Sequence, residues 1–264
     1  MASETRRPSG APRGAAGTAG SGDYYARRVA SPEYRASRAD RAEVILHLLH
    51  DEFEAAGRIA DVGSGTGIMK TALEIASRKP ITGFELDVQF VVDRNRVVGA
   101  DAVRLPVRDG TFDLVILNHI YEHVGDQPGL FREAWRVLRD GGTAYVSAGN
   151  RFAVMEPHYR LPFLSWLPRG VADRYLRATG RGSGYEGVAF LTYGRLTGIM
   201  RAAGFGVRDI TGRALEELLG PERGASWMPA WAVLERLPQT IRESMLRAAS
   251  PQWFFLLEKR APDV

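Results

Sequence analysis

The sequence predicts an α/β fold in which helices cover a parallel sheet. Strand-like and helix-like segments alternate from about residue 40 to residue 147, the pattern of a sheet built from crossover units. The strand candidates are short segments rich in apolar residues. The first of them runs into a glycine-rich turn with a helix behind it.

The elements follow in order. Helical apolar spacing from Arg41 to Ala55 ends at Gly57 and delivers Ile59-Ala60-Asp61-Val62, a short buried strand. Ile68 to Arg78 reads as a helix and Ile81 to Glu85 as a second strand. Asp113 to Asn118 (Asp-Leu-Val-Ile-Leu-Asn) is a strong strand. The helix Leu130 to Arg139 stops at Asp140-Gly141-Gly142 and gives way to the strand Thr143 to Ser147. After Asn150 the texture changes, because Met155 to Gly187 is full of prolines, glycines and aromatics without a steady period, so residues 151–190 are expected to form an inserted lid. Alternation resumes with a helix from Thr192 to Ala203, the turn Gly204-Phe205-Gly206 and the strand Val207 to Thr211. A helical stretch around Ile241 to Ala249 and the strand Trp253 to Glu258 close the chain.

A chain of 264 residues, 45% hydrophobic and 25% charged, has the make-up of one globular domain, read here as residues 29–264. Residues 1–28 carry too little apolar surface to offset the entropy of ordering them and are expected to be a disordered basic tail. Five arginines there (Arg6, Arg7, Arg13, Arg27, Arg28) against Glu4 and Asp23 hold three of the four net positive charges. The body is nearly neutral, so no nucleic-acid partner is expected. The absence of cysteine excludes disulfides, zinc-thiolate sites and thiol nucleophiles. No run approaches the roughly 18 apolar residues of a membrane span, and the start lacks the apolar core of a signal peptide. A cytoplasmic protein is therefore expected; its oligomeric state is not encoded in any pattern.

In Asp61-Val62-Gly63-Ser64-Gly65-Thr66-Gly67 each small residue has a task. Glycines let the backbone turn tightly with φ > 0 and lie close to a ligand that a Cβ would push away. The helix behind the turn offers unpaired N–H groups and a positive dipole end to a carboxylate. A dinucleotide site would need G-x-G-x-x-G, but the third glycine arrives one residue early at Gly67 and Ile68 takes its place. No G-x-x-x-x-G-K-[ST] phosphate loop is present.

Ile59 to Gly67 resembles motif I, acid-x-Gly-x-Gly-x-Gly, of the class I S-adenosylmethionine-dependent methyltransferases, the type 11 members among them. The resemblance continues at Gly83-Phe84-Glu85-Leu86-Asp87, where it makes Glu85 the acceptor of both ribose hydroxyls, chemistry that suits a carboxylate. At Gly99-Ala100-Asp101-Ala102-Val103-Arg104-Leu105-Pro106 it places Asp101 on the adenine amino group and the Ala102 N–H on the ring. Asp109 to Val115 and Tyr121-Glu122-His123-Val124 match the fourth strand and the loop behind it, with Asn118 on the cofactor side. The resemblance implies a Rossmann-like, seven-stranded sheet with the last strand antiparallel, helices on both faces and S-adenosylmethionine at the strand C-termini. Asp61, Gly63, Gly65, Gly67, Glu85, Asp101, Ala102 and Asn118 are then the cofactor residues.

Methyl transfer is an in-line displacement that chiefly needs alignment and a dry site, but a hydroxyl acceptor must also lose a proton. Histidine suits that task. His47 and His50 lie on the early helix, far in sequence from the site. His119 and His123 follow the fourth strand, where the family's acceptor meets the methyl group, and His158 stands in the lid sequence Glu156-Pro157-His158-Tyr159-Arg160. Three readings stay open: a metal-free histidine base, structural histidines, or a divalent cation held by His119, Glu122, His123 and His158. The last requires His119, Glu122 and His123 to share a helical face. It is similar to the E-x-x-E-H arrangement of metal-assisted O-methyltransferases, from which this chain departs by carrying His119 in place of the first Glu.

In the lid, Tyr159, Phe163, Trp166, Tyr175, Tyr185 and Phe190 alternate with arginines and either stack on an acceptor or form the lid's own core. Tyr24-Tyr25 could close over the cofactor. The expected function is O-methylation of a sugar or glycan hydroxyl, or of another small-molecule metabolite. N-methylation of a small amine and a non-catalytic cofactor-binding scaffold are the alternatives. Methylation of nucleic-acid amino groups is disfavoured, because Asn118-His119-Ile120-Tyr121 is not an Asn-Pro-Pro-Tyr clamp.

Overall fold

The computed structural model describes residues 32–219 and 236–260; the basic tail and Tyr24-Tyr25 lie outside the described residues. Two helices, α1 (Pro32–Leu48) and α2 (His50–Ala55), lead into β1 (Ile59–Val62), α3 (Ile68–Ser77) and β2 (Ile81–Glu85). There follow β3 (Val97–Gly99), β4 (Phe112–Asn118), α4 (Gln127–Val137) and β5 (Leu138–Gly149). A short hairpin, β6 (Met155–Glu156) and β7 (Leu161–Pro162), and a helix, α5 (Arg169–Ala178), precede α6 (Tyr193–Ala202), β8 (Phe205–Asp209), α7 (Thr211–Leu219), α8 (Gln239–Ala249) and β9 (Gln252–Lys259).

Seven strands form one sheet in the order β3-β2-β1-β4-β5-β9-β8. β1 to β5 pair in parallel, and β9 alone runs antiparallel to both its neighbours. The architecture is the expected one. Side chains that alternate along a strand supply both layers. Val115 and Leu117 of β4 join Val62, Val146 and Phe255 against Phe131 and Val137 of α4 and Leu196 and Met200 of α6. Leu114 and Ile116 join Ile59, Ile81 and Phe254 against Ile45 and Leu48 of α1 and Leu73 of α3.

Several boundaries differ from the sequence reading. The first helix starts at Pro32 and breaks at Leu49 (φ −115°, ψ 28°), so it is two helices and not one. Asp140-Gly141-Gly142 does not end a helix; it is a bulged stretch inside β5, where pairing with β4 jumps from Phe112↔Leu138 to Leu114↔Thr143. β3, α5 and α7 were not expected as elements. The 151–190 segment is ordered by a small core of its own, in which Leu161, Leu164, Ala172, Leu176 and Tyr185 pack with Tyr159 and Tyr175. Among the described residues no helix is long and apolar enough to cross a membrane.

Candidate active site

Parallel pairing brings the C-terminal ends of β1, β2, β3 and β4 to one edge of the sheet. At the end of β1 the chain turns through Gly63 (φ 74°), Gly65 (φ 55°) and Gly67 (φ 79°), conformations that L side chains rarely adopt. The loop is pinned from β2, because the Phe84 carbonyl accepts from the Gly63 and Ser64 N–H groups at 2.8 and 3.0 Å. A Cβ on Gly63 would stand 2.5 Å from Cδ1 of Ile120, in the loop after β4, and one on Gly67 would stand 2.6 Å from the Asp93 carbonyl oxygen. A Cβ on Gly65 would meet no atom within 4 Å.

The Glu85 carboxylate lies beside this loop. Its Oε2 accepts from the Gly65 N–H at 2.8 Å and its Oε1 from the Asp87 N–H at 3.1 Å, which leaves a lone pair on each oxygen for further donors. One strand over, the Ala100 N–H donates to the Glu85 carbonyl. The exposed Asp101 then accepts from the Val103 N–H at 3.1 Å through Oδ1, with Ala102 between them. Asn118 ends β4 opposite Ser147 of β5. The structure thus gathers Asp61, Gly63, Gly65, Gly67, Glu85, Asp101, Ala102 and Asn118 at one edge.

Beneath the loop, Asp61 is buried, Lys70 is fully buried and pairs with Glu74 at 2.7 Å, and the buried Ser64 hydroxyl has no partner. Burial pushes the Asp61 carboxyl up to about 7, against the pull of Lys70 and with the charge of Glu85 acting in the same direction as burial. A carboxyl whose pKa is raised on folding stabilises the fold below its unfolded value of 3.8 and loses that contribution as pH climbs through about 7. Urea unfolding at constant ionic strength should therefore show Asp61→Asn gaining stability relative to wild type from pH 5 to pH 7.5. A difference that does not vary with pH would mean that Asp61 stays ionised beside Lys70 throughout.

The histidines divide into two groups. His119 follows β4 with φ 55°, and both of its ring nitrogens are engaged, Nδ1 with Glu122 Oε1 and Nε2 with Ser147 Oγ, each at 3.1 Å. Burial raises the Glu122 carboxyl, but the His119 hydrogen bond and charge outweigh it and hold the group below its ordinary value. Its Oε2 is buried without a partner. His123 directs Nδ1 at the Gly187 carbonyl, 3.0 Å away. Crowding around its ring lowers the His123 pKa despite the charge of Glu122, and His158 acts the same way; the residue keeps an exposed edge.

His158 directs Nδ1 at Glu156 Oε1, 2.8 Å away, and its ring centroid is 5.2 Å from that of His123. Glu156 is fully buried, and its second oxygen accepts from the Tyr159 N–H at 2.6 Å. A carbonyl and a carboxylate accept, so in both rings Nδ1 carries a proton and donates it to these partners. His123 and His158 meet although 35 positions apart in the chain, because the Ala189 N–H donates to the Glu122 carbonyl and the Tyr121 hydroxyl bridges the Gly149 carbonyl and the Leu191 N–H.

The four-residue cation cluster does not assemble. Tyr121–His123 is a 3₁₀ turn preceded by His119 in the left-handed region, so His119, Glu122 and His123 do not share an α-helical face. Among the described residues no group of three His, Asp or Glu side chains is arranged to hold a metal ion. Glu156 and Ser147 had no part in the sequence reading. The Glu156-Pro157-His158 spacing was the available signal for the first, and only the β4–β5 register reveals the second.

A methyltransferase domain model matches residues 60–146. A malonyl-[acyl-carrier protein] O-methyltransferase of Geobacter sulfurreducens is 35% identical over 59% of this chain and 60% of its own length. A demethylmenaquinone methyltransferase of Deinococcus radiodurans is 31% identical over 65% of this chain and 74% of its own. The chain belongs to the class I S-adenosylmethionine-dependent methyltransferases. It spans three fifths of the length of the Geobacter relative. A crystal structure of an S-adenosylmethionine-dependent methyltransferase from Archaeoglobus fulgidus shares the fold, with 13% identity, a TM-score of 0.55, and coverage of 89% of this chain and 98% of that one.

The residues present fit the family's cofactor. S-adenosylmethionine carries a carboxylate, an ammonium, a ribose diol and an adenine. The loop supplies glycines that admit close approach, the buried acid Asp61 and the unpartnered Ser64 hydroxyl. Glu85 adds acceptor capacity for a diol.

Proposed function

We propose that this chain is an O-methyltransferase that methylates a hydroxyl of a small-molecule metabolite. The observation that carries the reading is the His158–Glu156 pair, an imidazole whose Nδ1–H is fixed by a fully buried carboxylate. Gly63, Gly65, Gly67, Asp61, Glu85, Asp101, Ala102 and Asn118 would hold S-adenosylmethionine, which when bound supplies a methyl carbon activated by its sulfonium. The 151–190 segment serves as the acceptor-side lid of the 29–264 domain. His158 Nε2 receives the proton of the acceptor hydroxyl while Glu156 holds the ring and stabilises the imidazolium. His123 stands beside it as a second imidazole, and His119, with both nitrogens engaged, positions the loop after β4.

For the acceptor, a sugar hydroxyl and a phenolic one both suit this base. The stacking platform that would favour a sugar is reduced, since Tyr159, Tyr175 and Tyr185 belong to the lid's own core. The Phe190 ring lies 5.7 Å from that of His158. The relatives act, by name, on a carrier-bound malonyl group and on demethylmenaquinone, which supports a small organic acceptor.

Calorimetric titration with S-adenosylmethionine, followed by transfer of labelled methyl to panels of phenols, sugars and amines, tests the reading. Micromolar cofactor affinity with label on oxygen is expected; no affinity, or label on amines alone, would overturn it. In the same titration Glu85→Ala should weaken binding by about 1.5–3 kcal/mol, the scale of hydrogen bonds to a charged group. Unchanged affinity would remove Glu85 from the ribose.

A further inference from the structure

One feature of the 151–190 segment is unused by the chemistry above. Phe152, Val154, Met155, Phe163 and Trp166 are 43–59% exposed. They form one ridge. The Trp166 ring packs edge-on against Phe152 (centroids 5.5 Å) and Phe163 (5.2 Å), and the Phe163 N–H donates to the Val154 carbonyl at 2.7 Å. The ridge is held in place, because the Trp166 Nε1–H donates to the Ala153 carbonyl at 2.9 Å and Ser165 Oγ donates to the Arg151 carbonyl at 2.7 Å. Phe163 keeps its position with φ 57°, an unfavourable backbone for a bulky side chain, and the residue stays 47% exposed.

Arginines flank the ridge along the chain. Arg151 precedes it, Arg160 sits at the hairpin turn and Arg169 opens α5, while Arg174, Arg177 and Arg181 follow. None of the six has an ion-pair partner among the described residues; where their side chains donate, they reach backbone carbonyls, as Arg169 Nε does at Tyr185 and Arg181 Nη1 at Arg160. The segment 151–190 holds these six cations against Glu156, Asp173 and Glu186, and Glu156 is buried. Fixed aromatic and thioether side chains in one segment with guanidinium groups that have no carboxylate partner suit the boundary between lipid headgroups and acyl chains, where apolar area and anionic charge act together.

We infer that this ridge docks the protein onto the surface of an anionic phospholipid bilayer. The lid that flanks the His158–Glu156 pair would then face the membrane. The inference does not depend on the acceptor or on methyl transfer, since it concerns binding alone.

Co-sedimentation of the full chain with vesicles decides it. Vesicles of equal parts phosphatidylglycerol and phosphatidylcholine should bind the protein, and pure phosphatidylcholine vesicles at least tenfold less. The double variant Phe152→Ser, Trp166→Ser should lose at least tenfold in affinity for the anionic vesicles. Because Trp166 also packs within the lid, Val154→Ser with Met155→Ser provides a second variant that leaves the ring contacts in place, and it should lose binding as well. Arg160→Glu should weaken anionic binding by several-fold. Absence of binding to anionic vesicles, or ridge variants that bind like wild type, would overturn the inference. So would wild-type self-association on light scattering that the same variants abolish, or capture of a purified acidic acyl-carrier protein without vesicle binding, since each assigns the ridge to a protein partner.

Discussion

Replacement of His158 by alanine is expected to lower kcat by about 10²–10⁴-fold, the range for loss of a positioned general base, with S-adenosylmethionine affinity nearly unchanged. The separation follows from position. His158 belongs to the 151–190 segment and its fixed partner is Glu156 Oε1, whereas the glycine loop is pinned to β2 through Phe84 and Glu85. Glu156→Gln should lower kcat by a smaller factor, about 10- to 100-fold. The amide can accept from Nδ1–H through its oxygen, but it can also present its NH₂ group and reverse the tautomer, and it carries no charge to stabilise the imidazolium. Glu156→Asp, which keeps the charge on a shorter stem, should recover part of the loss. Calorimetry alongside steady-state rates checks both halves; equal turnover in His158→Ala and wild type would remove this residue from the chemistry.

The parts of this arrangement that sequence reveals are those written by local rules. β1 and β2 appear where expected because short, mostly apolar segments between turn signals read as buried strands, and Ile59–Val62 is buried at every position. Gly63, Gly65 and Gly67 are legible because their backbone conformations nearly demand glycine. β3 is not legible: Val97–Gly99 is a three-residue edge strand, half-buried at best, and writes no apolar run. The helix α5 escapes notice because only Ala172 and Leu176 are buried along its length, against a satellite core that long-range folding creates. The pairing of His158 with Glu156 was within reach of sequence, at two residues' separation. The full burial of Glu156, which gives that pairing its chemical meaning, was not. The engagement of His119 by Ser147 is a consequence of strand register, 28 residues apart, and no local pattern announces it.

Two alanine substitutions in the glycine loop should fail for different reasons, and the contrast tests how the loop works. In Gly67→Ala the new Cβ would stand 2.6 Å from the Asp93 carbonyl oxygen, a backbone atom that cannot rotate away, at a residue with φ 79°. Gly67 also caps α3, and its carbonyl accepts from the Thr71 N–H, so any shift is passed to the first turn of that helix. The substitution is expected to cost about 2–4 kcal/mol of stability, the sum of left-handed strain and a backbone clash, and to abolish measurable cofactor binding. Gly65→Ala has φ 55° and no neighbour within 4 Å of its Cβ, so only the conformational strain of about 1–2 kcal/mol applies. Its methyl group nonetheless points away from the protein on the side of the loop proposed to receive S-adenosylmethionine, where close approach is the reason for glycine. Gly65→Ala should therefore lose only about 1–2 kcal/mol of stability, less than Gly67→Ala, and still bind the cofactor at least tenfold more weakly. Urea unfolding and calorimetry on the two variants separate fold from fit; if Gly65→Ala bound as well as wild type, the proposed cofactor position against this loop would be wrong even though the fold is not.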